Sequence, residues 1–338
     1  DCTQNHGGGG GGRNVRGCLM AMIDLRDYQV ECLDALTAYR ARGGVRALVA
    51  MATGTGKTVI FARLPGMEPG RMLVVAHREE LLDQAAARIQ DAAPQTSVDV
   101  EQAERHASPA AEVVVASIQT LALGRGRLAA LRPAEFSLVV VDEAHHAVAP
   151  TYLQVLMHFG LAPAGVARLR DSDLSRKNPT EQVRRMFREF RPAPGAPLLV
   201  GFTATPNRTD GRGLEWVFDD IVFSRSIEQM VVAGWLCPVR GLRIETASDI
   251  RDVAVRRSGD FAEGDLSQAV NNLERNEEVV QAYVDHCQPE GRPTLVFCVD
   301  VEHTRSVVEA FTVRGIDAAA VVGTTPAETR RFIVQEYR

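Results

Sequence analysis

"RALVAMATGTGKTVIFARL", residues 46–64, joins an unalternated apolar run to a helix-compatible run through a loop with Gly54 and Gly56. A strand, a glycine loop and a helix in that order place backbone N–H groups and a helix N-terminus around one point, which suits a phosphate. The phosphate-loop pattern is Gly-x-x-x-x-Gly-Lys-Ser/Thr, and here Met51 stands at its first glycine while Gly56, Lys57 and Thr58 are intact. Thr53, Gly54, Thr55 and Gly56 are the expected cradle, Lys57 the cation for the terminal phosphates and Thr58 a Mg2+ ligand. Of 38 basic residues only Lys57 and Lys177 are lysine, so a compact ammonium stands where the loop needs one.

Working outward, "MLVVA", "EVVVAS", "SLVVVD" and "PLLVGFTA" are further short apolar runs separated by helical patterns. Continuous Val/Leu runs read as strands buried on both faces, and their alternation with helices predicts a doubly wound α/β lobe with a parallel sheet. Upstream, Tyr28, Cys32, Leu36 and Tyr39 follow helical spacing until Gly43 and Gly44. Residues 160–196 are polar, rich in Arg, Pro and Gly, and read as an exposed insertion with a short surface helix in "TEQVRRMFREF". Ser226 and Gln229 fit a capping box that opens a helix ending near Gly234. Beyond it "VRGLRIE", "TLVFCVD" and "AAAVVG" alternate with helical patterns as a second α/β series. The predicted organisation is a flexible glycine-rich tail over 1–21, a first lobe over 22–235 and a partial second lobe over 236–338. Helical periodicity begins beside Met22, which predicts a start there.

A chain of 338 residues with 45% hydrophobic and 24% charged residues has globular proportions and room for about two domains. No stretch approaches the roughly 18 apolar residues of a membrane span. The six cysteines have no paired short spacing, which predicts reduced thiols in a cytoplasmic chain. A net charge of −5 argues against a broadly basic surface, while leaving room for a narrow track of phosphate contacts.

"VVVDEAHH", residues 139–146, ends a predicted strand in adjacent carboxylates. Alone, such a pair is more often a solvated turn. Downstream of a phosphate loop it is the expected partner, Asp142 holding the Mg2+ shell and Glu143 orienting and deprotonating the attacking water.

The ordered set "LRDYQ" (25–29), "ATGTGKT" (52–58), "AHREEL" (76–81), "SIQTL" (117–121), "DEAH" (142–145), "TATP" (203–206) and "LVFCVDVEHT" (295–304) resembles superfamily 2 helicases with a DEAH box. Within that group it looks most like DNA-repair helicases and the motor subunits of type I and type III restriction enzymes. The resemblance implies two RecA-like lobes with ATP and Mg2+ between them, and ATP-driven stepping along a nucleic acid, DNA before RNA, held through its backbone. It implies that Arg26 and Gln29 read adenine, and that His145 couples the ATP site to Thr203 and Thr205. It implies strand contacts from Arg78, Ser117, Gln119 and Thr120 in the first lobe and from His303 and Thr304 in the second. Taken singly, Ser117 and Thr120 are as well explained by local capping. His146 reads as structural.

One departure from the family pattern stands out: the later second-lobe elements, including a helix with arginine fingers, are not found before Arg338. That predicts a fragment able to bind ATP and slow to hydrolyse it. The alternative of another class is an ATP-binding module that does not hydrolyse. Motifs aimed at phosphates also leave an RNA helicase open.

Overall fold

The computed structural model describes residues 25–77, 79–124, 126–169, 181–206, 214–246, 248–255 and 261–337. The predicted tail over 1–21 and Arg78 lie outside the described residues. The chain divides into two units, Asp1–Cys237 and Pro238–Arg338.

The first unit is built on one seven-stranded sheet, β1 (Arg46–Met51), β2 (Arg71–Ala76), β3 (Val98–Glu101), β4 (Val113–Ser117), β5 (Phe136–Val141), β6 (Leu198–Thr203) and β7 (Asp220–Arg225). Its order is β3-β4-β2-β5-β6-β1-β7, and every pairing is parallel. The α/β reading with a parallel sheet holds, because the apolar runs are buried on both faces as their lack of alternation requires. One core layer includes Leu73, Val139 and Phe218, and the other Ile60, Val140 and Phe202. β3 and β7 were not expected from the sequence. They are the outer strands, partly solvated, and so carry no continuous apolar run.

Helices α1 (Asp27–Ala41), α2 (Lys57–Phe61), α3 (Glu79–Ala92), α4 (Ile118–Leu123), α5 (Arg127–Ala130) and α6 (Pro150–His158) link or flank these strands. The predicted short helix of the insertion is α7 (Glu181–Glu189), and it buries Val183 and Phe187 in the core. Phe187 stacks on Trp216 at 5.1 Å, so this part of the insertion is docked rather than merely exposed. Ser226 and Gln229 form the expected reciprocal cap of α8 (Ile227–Val232).

The second unit contains α9 (Glu263–Val270), α10 (Leu273–His286), α11 (Val301–Val313) and α12 (Ala327–Tyr337). Val280, Val307 and Phe311 form its small core. Its three predicted strands carry no sheet ladder among the described residues, and Phe297 within "TLVFCVD" is 92% exposed. Apolar content makes a segment able to pair, but a parallel strand also needs a neighbour and a covering layer. No helix among the described residues is long and apolar enough to cross a membrane. Cys32, Cys237, Cys287 and Cys298 are free, and burial pushes the Cys32 thiol up to about 12.

Candidate active site

The sheet places the motifs along one edge. β4, β2, β5, β6 and β1 are consecutive neighbours, and their carboxyl ends carry Ser117, His77, Asp142, Thr203 and the loop 52–58. Ligands of open parallel sheets bind at such an edge.

Within the loop, Gly54 and Gly56 take φ of +83° and +77°, a left-handed conformation that glycine adopts without strain. A Cβ on Gly56 would stand 2.8 Å from Gln29 Nε2, a second reason for glycine there. Thr55 is fully buried, and its hydroxyl donates to Ala52 O at 2.7 Å, bracing the turn. Lys57 opens α2, and its Nζ is buried with no hydrogen bond inside the protein. Glu143 Oε1 stands 3.8 Å from it. A buried ammonium without a hydrogen-bond acceptor is costly, and a phosphate oxygen would satisfy it.

Glu143 has φ +48°, the left-handed region that a non-glycine residue rarely occupies. That turn brings its Oε2 to 3.3 Å from His145 Nδ1, which is also 3.4 Å from Thr203 Oγ1. Thr203 Oγ1 accepts from Thr205 N–H at 3.1 Å. Lys57, Glu143, His145, Thr203 and Thr205 therefore form one chain of contacts. Burial raises the pKa of Asp142, opposed by the Glu143 N–H that donates to Asp142 Oδ1 at 3.0 Å. Asp142 and the Thr58 hydroxyl are hard oxygen donors that suit Mg2+, which takes few protein ligands beside phosphate oxygens and water.

Gln29 is 3% exposed, and its amide is already engaged: Oε1 accepts from Arg26 N–H at 3.0 Å while Nε2 donates to Thr55 O at 3.3 Å. It braces the first turn of α1 against the phosphate loop. Tyr28, read from the sequence only as a core position, donates its hydroxyl to Thr55 O at 2.7 Å and accepts from Arg26 Nη1 at 3.1 Å. Only the aromatic at that spacing was visible in sequence. The polar end gave no signal.

The predicted strand contacts have local partners here. Ser117 is buried and caps α4, Thr120 Oγ1 accepts from Ala103 N–H at 3.1 Å, and Gln119 Nε2 reaches His77 O at 3.1 Å. His303 Nδ1 accepts from Val299 N–H at 3.3 Å, and Thr304 donates to Asp300 O at 2.8 Å. His146 lies between rings, 5.3 Å from His77 and 4.2 Å from His145.

Residues 22–208 match the family described as "Type III restriction enzyme, res subunit". A Schizosaccharomyces pombe protein described as a mitochondrial ATP-dependent helicase, irc3, is 31% identical over 94% of this chain and 48% of its own length. A Saccharomyces cerevisiae protein described as an ATP-dependent helicase, IRC3, is 31% identical over 96% of this chain and 44% of its own. The chain spans about half the length of these curated relatives. Among solved structures, the helicase domain of Hef from Pyrococcus furiosus aligns at 20% identity and a TM-score of 0.42, over 86% of this chain and 53% of that one. The match covers more than half of the chain and includes the phosphate loop, the paired carboxylates and "TATP", so the protein belongs to the type III restriction res-subunit family, among the superfamily 2 helicases related to restriction-enzyme motor subunits.

Proposed function

We propose that the chain is the ATP-hydrolysing part of a DNA helicase or translocase. The observation that carries this is the buried, hydrogen-bond-free Lys57 ammonium at the sheet edge, 3.8 Å from the Glu143 carboxylate. Lys57 and the loop amides receive the phosphates, and Thr58 and Asp142 hold Mg2+. Bound there, the ion would neutralise charge on the phosphate oxygens. Glu143 orients the attacking water and takes its proton, while His145 passes the state of that carboxylate to Thr203. Arg26 and Gln29, at the start of α1 beside the loop, read the adenine. ATP binding and release then drive closing and opening of the two units, and contacts from Arg78, Ser117, Gln119, Thr120, His303 and Thr304 convert the cycle into steps. DNA is favoured over RNA by the restriction-enzyme character of the family. Free thiols fit a reducing compartment, the cytoplasm in the simplest case.

Single-turnover hydrolysis with and without single-stranded DNA tests the reading. Slow hydrolysis is expected in both, little stimulated by DNA, and DNA affinity should be indifferent to sequence and fall steeply with salt because phosphates are contacted. ATP bound but never cleaved would make the chain a binding module. A salt-insensitive preference for one sequence would make it a sequence reader.

A further inference from the structure

Trp235 follows the glycine that ends α8. Gly234 takes φ +77°, and the N–H groups of Trp235 and Leu236 donate to Met230 O at 2.9 and 3.1 Å, folding the chain back. The turn brings Leu236 Cδ2 to 3.6 Å from where a Cβ on Gly54 would stand, so it borders the phosphate loop. It also brings the indole against the start of α1. Tyr28 meets the indole edge-on, with centroids 5.6 Å apart at 66°. The Arg26 guanidinium lies over the indole at 4.9 Å from the ring centroid.

These contacts form a line from indole to loop. Trp235 stacks under Arg26, Arg26 donates to the Tyr28 hydroxyl, and that hydroxyl donates to Thr55 O. Gln29, which also faces the loop, is buried and engaged with backbone. Arg26 is exposed, planar and held beside the loop. A guanidinium stacks on aromatic faces and is weakly hydrated, so it accepts a flat ring on its free side. On its own flexible stem it would have to be ordered at each binding event. The indole orders it beforehand.

We propose that Trp235 is a positioning residue for nucleotide binding, holding Arg26 as the platform on which the base stacks. The assignment rests on the loop being the triphosphate site. Stacking tolerates any purine, so Trp235 should raise the affinity for ATP and GTP alike.

The test compares ATP with inorganic triphosphate, both with Mg2+, in the full chain carrying Trp216→Phe. Trp216 packs on Phe187, and its removal leaves Trp235 as the sole indole. ATP is expected to change the Trp235 fluorescence and inorganic triphosphate to leave it unchanged. By calorimetry on the otherwise unaltered chain, Trp235→Leu should lose about five- to tenfold in affinity for ATP and for GTP, with inorganic triphosphate affected less than about twofold. Trp235→Phe should recover most of the loss. Equal losses for ATP and inorganic triphosphate would assign Trp235 to the shape of the loop and overturn the proposal, as would unchanged ATP binding. If inorganic triphosphate bound equally well after Lys57→Ala, the phosphate-site reading itself would fail and take this assignment with it.

Discussion

Asp142 shows what a single residue costs this fold. Its carboxyl sits at the end of β5, where burial holds its pKa above the ordinary carboxylate range. Ionisation is therefore harder folded than unfolded. The resulting loss of stability is complete above the folded pKa and disappears as pH falls through that value toward the unfolded one. Asn keeps an oxygen to accept the Glu143 N–H and removes the charge. Asp142→Asn should then raise Tm at pH 7, by about 2–4 °C for each kcal/mol recovered, while Mg2+-dependent hydrolysis is lost. The gain should shrink on acidification, as the native carboxyl takes up its proton. A Tm lowered at pH 7 by this substitution would show that Lys57 and His145 stabilise the charge more than burial penalises it.

At the scale of elements, the central strands bring the site together, and β6 is packed tightly enough to test. Gly201 lies in β6 between β1 and β5, paired with Leu48 and Val141. A Cβ there would stand 2.4 Å from Phe218 Cζ and 2.8 Å from Ala144 Cβ. Neither contact leaves room for a methyl group, so Gly201→Ala should cost about 1–3 kcal/mol. Because Ala144 follows Glu143, ATP turnover should fall as well. Thermal unfolding and steady-state hydrolysis check both, and an unchanged Tm would mean that Phe218 can swing aside. The same packing explains what the sequence revealed. β1, β2, β4, β5 and β6 are buried on both faces and announce themselves as apolar runs, and the phosphate loop and "DEAH" are contiguous motifs with fixed chemistry. β7, with its exposed Asp220 and Ile221, has no such run. The Tyr28–Trp235 contact joins residues far apart in the chain, and the second unit's apolar segments carry no sheet ladder among the described residues. Local patterns are legible where burial imposes them, and long-range contacts of single side chains are not.

For the whole molecule, the central claim is that two residues from different strand ends divide one reaction. Lys57 follows β1 and Glu143 follows β5, with β6 between those strands, yet their charged atoms are 3.8 Å apart. A net charge of −5 gives no general attraction for a nucleotide, so binding has to come from this corner. The most direct test is ATP affinity and steady-state hydrolysis measured side by side for the native chain, Lys57→Ala and Glu143→Gln. Lys57→Ala should lose most of its ATP affinity. Glu143→Gln should bind ATP as the native chain does and turn over about 10²- to 10⁴-fold more slowly. Native ATP affinity in Lys57→Ala, or native turnover in Glu143→Gln, would contradict the assignment of phosphate to one residue and water to the other.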